Sequence, residues 1–116
     1  LREWILKEPT TLAMSSGFFG FFAHLGVVTA LEEINFKPQR VVGSSAGALI
    51  GSLWASGMSP DAIRTLLFGI KRKDFWDPGL GRGLLRGEKF RALLKSHLPV
   101  QKMQDCRYPL ALSVFL

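Results

Sequence analysis

A chain of 116 residues, with 15 Lys and Arg against nine Asp and Glu, has material for one modest core and a formal net charge of +6. Its 47% apolar content, nine Phe and three Trp exclude a disordered chain, and its one cysteine, Cys106, excludes an internal disulfide. The positive balance is uneven: Lys71 to Arg107 holds ten basic and four acidic residues, a surface that prefers anionic partners.

Leu1-Arg2-Glu3-Trp4 opens with charge and no apolar run follows within the first ten residues, so no signal peptide is visible; the location is left open, with a cytoplasmic or peripheral-membrane one expected. Trp4 to Glu8 reads as a short polar-apolar lead-in, and Pro9-Thr10 sets an extended approach to a first strand, Thr11 to Met14. Ser15-Ser16-Gly17-Phe18-Phe19-Gly20 is a small-residue turn into a helix from about Gly20 to Ile34. Gly17 and Gly20 are expected to sit at backbone angles or close approaches that a side chain would obstruct. Asn35 and Pro38 end that helix, and Arg40-Val41-Val42 begins a second strand. A helix rich in small residues follows from Ser45 or Ala46 to near Gly57. Ser59-Pro60-Asp61 then starts another, with Ser59 as cap and Pro60 at the first position, ending at Gly69. Lys71-Arg72-Lys73 leads into a glycine-broken amphipathic loop containing Phe75 and Trp76. A last helix, about Glu88 to His97, sets Phe90, Leu93, Leu94 and His97 on one inner stripe, and Leu110 to Phe115 reads as a buried strand.

The chemistry gathers at Gly43-Ser44-Ser45-Ala46-Gly47, a G-x-S-x-G pentapeptide where the second strand turns into a helix. A turn this tight leaves no room for side chains, so Gly43, Ser44, Ala46 and Gly47 are small. It lifts the Ser45 oxygen above the sheet, facing the free amides of the following helix. Ser45 therefore reads as a nucleophile. Two strand-turn-helix units in a row imply a parallel sheet, whose ligand crevice lies beyond the carboxyl ends of the strands. The turn at residues 15–20 then faces the same crevice and is placed to donate to an oxyanion.

The order small-small-Gly-x-x-Gly, Ala23-His24-Leu25-Gly26-Val27-Val28, Ala30-Leu31-Glu32-Glu33 and Gly43-Ser44-Ser45-Ala46-Gly47 resembles the N-terminal half of patatin-like phospholipases, from about Leu12 onward. The resemblance implies a three-layer α/β/α fold with a mainly parallel sheet. It implies an oxyanion loop at Ser15, Ser16, Gly17, Phe18, Phe19 and Gly20, and a Ser-Asp dyad without histidine or cofactor. The implied activity is hydrolysis of lipid acyl esters. No Asp-Gly-Gly or Asp-Gly-Ala occurs in the chain, so residues 1–116 are expected to be the N-terminal part of a single such domain, with the catalytic Asp beyond them. Ser15, Ser16 and Phe19 depart from the family's opening glycines and its frequent basic residue.

Other readings compete. His24 lies one turn inside its helix, where packing or hydrogen bonding explains it better than general-base work, and two isolated histidines and a cysteine make no metal site. Thr10 to Leu31 and Val41 to Pro60 carry no charge and are each long enough for a two-span membrane hairpin. A catalytically inactive lipid-binding module is a third class. The Lys71, Arg72 and Lys73 cluster with its aromatic neighbours suits an anionic membrane surface, and no nucleic-acid motif accompanies it.

Overall fold

The computed structural model describes residues 1–17, 20–71 and 88–114, apart from the side chains of Glu88 and Phe90. Phe18, Phe19, the loop from Arg72 through Phe75 and Trp76 to Gly87, and Phe115 therefore lie outside the described residues. The elements are α1 (Arg2–Lys7), β1 (Thr11–Met14), α2 (Gly20–Glu33), β2 (Arg40–Gly43), α3 (Ala46–Ala55), α4 (Pro60–Gly69), α5 (Glu88–His97), a 3₁₀ turn (Met103–Asp105) and β3 (Leu110–Leu112).

The three strands form one parallel sheet in the order β1-β2-β3. Leu12 pairs with Val41 and Val41 with Leu110, so side chains of alternate residues share a face. Met14 and Val41 are buried on one face, where α3 lies against all three strands. The other face carries Thr11, Ala13, Arg40 and Ala111, which are exposed, and Val42, half-buried between Ala13 and Ala111. α2 and α4 pack on α3, giving an α/β architecture of parallel sheet and helices. Helix α3 reaches the sheet closely because Gly51 faces it: a Cβ there would stand 3.1 Å from Val41 Cγ1.

Each long uncharged run is thus split into strand, turn and helix. No helix among the described residues is long and apolar enough to cross a membrane, which overturns the two-span hairpin. The reason is local: Ser and Gly at 15–17 and 43–47 bend the chain where a spanning helix would need to continue.

The α4 start follows its sequence signals. Ser59 caps it, its Oγ accepting from the Ala62 amide at 3.1 Å, with Pro60 leading and Asp61 in the first turn. The lead-in expected at Trp4 to Glu8 is instead the six-residue α1, which buries no residue fully. Glu3 in its first turn and Lys7 in its last complement its dipole. His97, expected on the inner stripe of α5, is exposed, while Leu93 and Leu94 are half-buried. Its Nδ1 lies 2.8 Å from the Leu93 carbonyl, which ties the ring to its own helix at the rim of the groove between α4 and α5.

The heaviest packing lies at the far end of α3. Trp54, Ile50, Leu53, Ile63, Val28 and Val41 are the largest fully buried side chains. Trp54 sits 5.0 Å from the Tyr108 ring and donates from Nε1 to Glu32 Oε1 at 3.1 Å. Arg107 pairs with the same Glu32 oxygen at 3.4 Å and lies 4.9 Å over the Tyr108 ring. The Tyr108 amide donates to the Ala55 carbonyl, joining the approach to β3 to the end of α3.

Candidate active site

Ser45 stands between β2 and α3 with φ 52° and ψ −118°, and it is exposed. Asn35, at a helix end, is the other described non-glycine residue with positive φ, in the ordinary place for such a residue. A serine held at these angles costs on the order of 1–3 kcal/mol and persists only where the surroundings impose it. What imposes it is the closeness of the chain on either side. A Cβ at Gly43 would lie 2.6 Å from the Gly47 carbonyl oxygen and 2.7 Å from Ala48 Cα. A Cβ at Gly47 would collide with the Met14 carbonyl. Only glycine lets α3 descend this steeply between β1 and β2.

The backbone angle expected of the first turn is found at Gly17, whose φ is +158°, a value that side-chain-bearing residues rarely adopt; the close approaches are found at Gly43 and Gly47, not at Gly17 or Gly20. An added Cβ would meet nothing nearer than 3.8 Å at Gly17 and 3.6 Å at Gly20, ordinary van der Waals distances. The loop after β1 gets its shape from hydrogen bonds rather than from crowding.

Those bonds tie the two turns together. The Ser44 amide donates to the Met14 carbonyl at 3.1 Å, and the Gly47 amide to the Ser15 carbonyl at 3.2 Å. The Ser16 and Ser44 hydroxyls are 2.9 Å apart, and His24 Nε2 is 2.7 Å from the Ser15 carbonyl. Gly20 opens α2 beside the start of α3: a Cβ on it would lie 3.8 Å from Ala46 Cβ. Two helix N-termini, each the positive end of its helix, thus converge beside Ser45; the Gly20 amide that opens α2 donates to the Gly17 carbonyl, and the Gly47 amide is shared between the Ser15 and Ser44 carbonyls. The structure brings Ser15, Ser16, Gly17, Gly20, Gly43, Ser44, Ser45, Ala46 and Gly47 side by side at the carboxyl ends of β1 and β2. Such a place can bind developing negative charge.

The remaining titratable candidates stand apart. Because a carbonyl only accepts, His24 Nε2 carries its hydrogen toward Ser15 and is not a base facing Ser45. Asp61 serves the α4 start, with its side chain 91% exposed. Burial and then the Asp105 carboxylate push the Cys106 thiol above its ordinary value, leaving it a poor nucleophile. Among the described residues no group of three His, Cys, Asp or Glu is placed to hold a metal. Trp54 and Tyr108, the two residues that anchor the buried end, were not signalled by any sequence pattern, since a lone Trp in a small-residue helix and a lone Tyr after a loop have no period to read.

Geometry of this kind defines a class of parallel α/β proteins built around a sharp strand-to-helix elbow. The chain belongs to the patatin-like phospholipase family, whose model matches residues 12–114. It is 32% identical over 90 residues to an uncharacterized NTE family protein of Mycobacterium tuberculosis, covering 67% of this chain and 22% of that protein. It is 37% identical over 67 residues to triacylglycerol lipase 5 of Saccharomyces cerevisiae, covering 57% of this chain and 9% of the relative. Over 56 residues it is 34% identical to the neuropathy target esterase sws of Drosophila melanogaster, 48% of this chain and 4% of that one. The chain thus spans less than a quarter of the length of these relatives. No solved structure matches it.

Proposed function

We propose that residues 1–116 are the N-terminal, nucleophile-bearing part of a patatin-like domain that hydrolyses lipid acyl esters. The observation that carries the reading is Ser45 held at positive φ above the end of β2, beside two helix N-termini. Relatives named as a triacylglycerol lipase and a neuropathy target esterase support the ester class. In this mechanism Ser45 Oγ attacks the ester carbonyl while an Asp beyond the chain takes its proton. The loop amides at residues 15–20 and the start of α3 hold the oxyanion. Collapse of the tetrahedral adduct expels the alcohol, which takes the proton back, and water then releases the fatty acid from Ser45.

The exposed Phe22 and Phe68 rings, 5.3 Å apart, and exposed Lys71 at the end of α4 support contact with an anionic lipid surface. Helix α4 starts at the buried end of α3 and packs beside it, and its last residues meet the first turn of α2, so these rings stand toward the end where α2 and α3 begin.

The test uses a polypeptide carrying this chain together with a following Asp-Gly-Gly or Asp-Gly-Ala segment. Ser45→Ala is expected to lower hydrolysis of a nitrophenyl ester by about 10⁶-fold with the circular dichroism unchanged. Turnover that survives the substitution in a folded protein would sink the nucleophile assignment. In the same preparation, Phe22→Ser with Phe68→Ser is expected to reduce sedimentation with phosphatidylserine vesicles; undiminished binding would remove the lipid-surface contact and leave the ester chemistry standing.

A further inference from the structure

His24 stands one turn into α2, half-buried, while its neighbours Leu25 and Val28 fill the core. Its ring is packed 3.6 Å from the position a Cβ on Gly20 would take. Among the described residues its polar contact is Nε2 donating to the Ser15 carbonyl at 2.7 Å. That same oxygen accepts from the Gly47 amide at 3.2 Å. One carbonyl is thus gripped from both helices that begin beside Ser45: from α3 by a main-chain amide, from α2 by an imidazole.

A peptide group is planar and, throughout the described chain, trans. Fixing the Ser15 carbonyl therefore fixes the whole Ser15–Ser16 peptide and sends the Ser16 amide the opposite way. The next residue along is tied as well, since the Ser16 hydroxyl lies 2.9 Å from that of Ser44, the residue before Ser45. With the ring removed, the Ser15 carbonyl keeps only its bond from α3, and the root of the loop loses its attachment to α2. Packing alone does not account for a histidine here, because the site is half-exposed and the ring spends a nitrogen on the loop backbone.

We infer that His24 is a positioning residue for acyl transfer, holding the loop at residues 15–17 in register with Ser45 through the Ser15 carbonyl. The inference rests on the proposed reading of Ser45 as nucleophile and of this loop as oxyanion donor. Donors that must meet a charge appearing only in the transition state affect kcat more than substrate binding, and small displacements are costly: about 1 Å can lose 10²-fold.

Two variants separate donor from shape in the polypeptide that carries the dyad Asp. Phe fills the space of the imidazole without a donor, whereas Gln offers an amide N–H to the same carbonyl. His24→Phe is expected to lower kcat roughly 10- to 100-fold with KM within about twofold of wild type and the unfolding midpoint kept; His24→Gln is expected to recover most of the loss. Unchanged kcat in His24→Phe, or equal losses in the two variants, overturns the inference. A second measurement needs no turnover: long-range ¹⁵N–¹H correlation on the wild-type chain is expected to show the hydrogen on His24 Nε2, and a hydrogen on Nδ1 alone overturns the grip on Ser15. Absence of any Ser45-dependent turnover in the wild type would instead count against the proposed function, and the tautomer would still decide the grip.

Discussion

The two ends of α3 are built on opposite principles. At its N-terminus the chain uses Gly, Ser and Ala, crosses itself backbone against backbone, and holds an exposed serine at strained angles. At its C-terminus Trp54, Tyr108, Glu32 and Arg107 close a packed, hydrogen-bonded floor with little exposed surface on its two rings. Ten residues of helix separate a place that stores strain from a place that offsets it. Rigid floors under strained mouths are how a small domain keeps an unfavourable backbone geometry occupied.

Substitutions at the two ends should therefore differ in sign as well as size. Trp54→Ala removes a fully buried ring and the donor to Glu32, and is expected to cost about 3–5 kcal/mol in denaturant unfolding. A loss below about 1 kcal/mol would show that the floor does not anchor α3. Ser45→Gly should move the other way: glycine tolerates φ 52° and ψ −118°, so relief of strain less the added freedom of the unfolded chain predicts a gain of about 1 kcal/mol. A destabilised Ser45→Gly variant would mean that the elbow is not strained.

The smallest effect belongs to Tyr108, whose buried hydroxyl has no partner among the described residues. Burial raises its pKa above the ordinary tyrosine value, with Glu32 adding to that and Arg107 opposing it. For an acid raised in the folded state, its contribution is intact below the unfolded value near 10 and is lost as pH climbs beyond it, because the unfolded chain ionises first. Tyr108→Phe is expected to be neutral or to gain up to about 1 kcal/mol at pH 7 and to flatten the decline in stability above pH 10. An equally steep alkaline decline in the variant would assign it to other groups.

Much of this was legible because punctuation and period agree. The strands at Thr11–Met14 and Arg40–Gly43 are bounded by Pro9 and by Ser and Gly turns, and α4 carries its own start signal in Ser59-Pro60-Asp61. α1 escaped because six residues with no buried side chain show no period. His97 misled because four-residue spacing places it in line with Leu93, but spacing does not say where the neighbouring element stops. At the site, the pentapeptide pointed to Ser45 and its small neighbours. Which glycines are sterically required was hidden, since crowding at Gly47 comes from Met14, a residue 33 positions earlier whose approach only the sheet register reveals. The grip of His24 on Ser15 was hidden for the same reason.

Gly47 against the Met14 carbonyl has a consequence for any library of variants of this chain. At Gly43 and Gly47 nineteen of the twenty amino acids are excluded by a single atom they all share, the Cβ, before polarity, charge or shape can matter. At Ser45 the backbone admits several residues and only chemistry selects one. A saturation library scored for folding alone would thus return near-silence at the two glycines and tolerance at the serine between them, so the residue that acts would look the least constrained of the three.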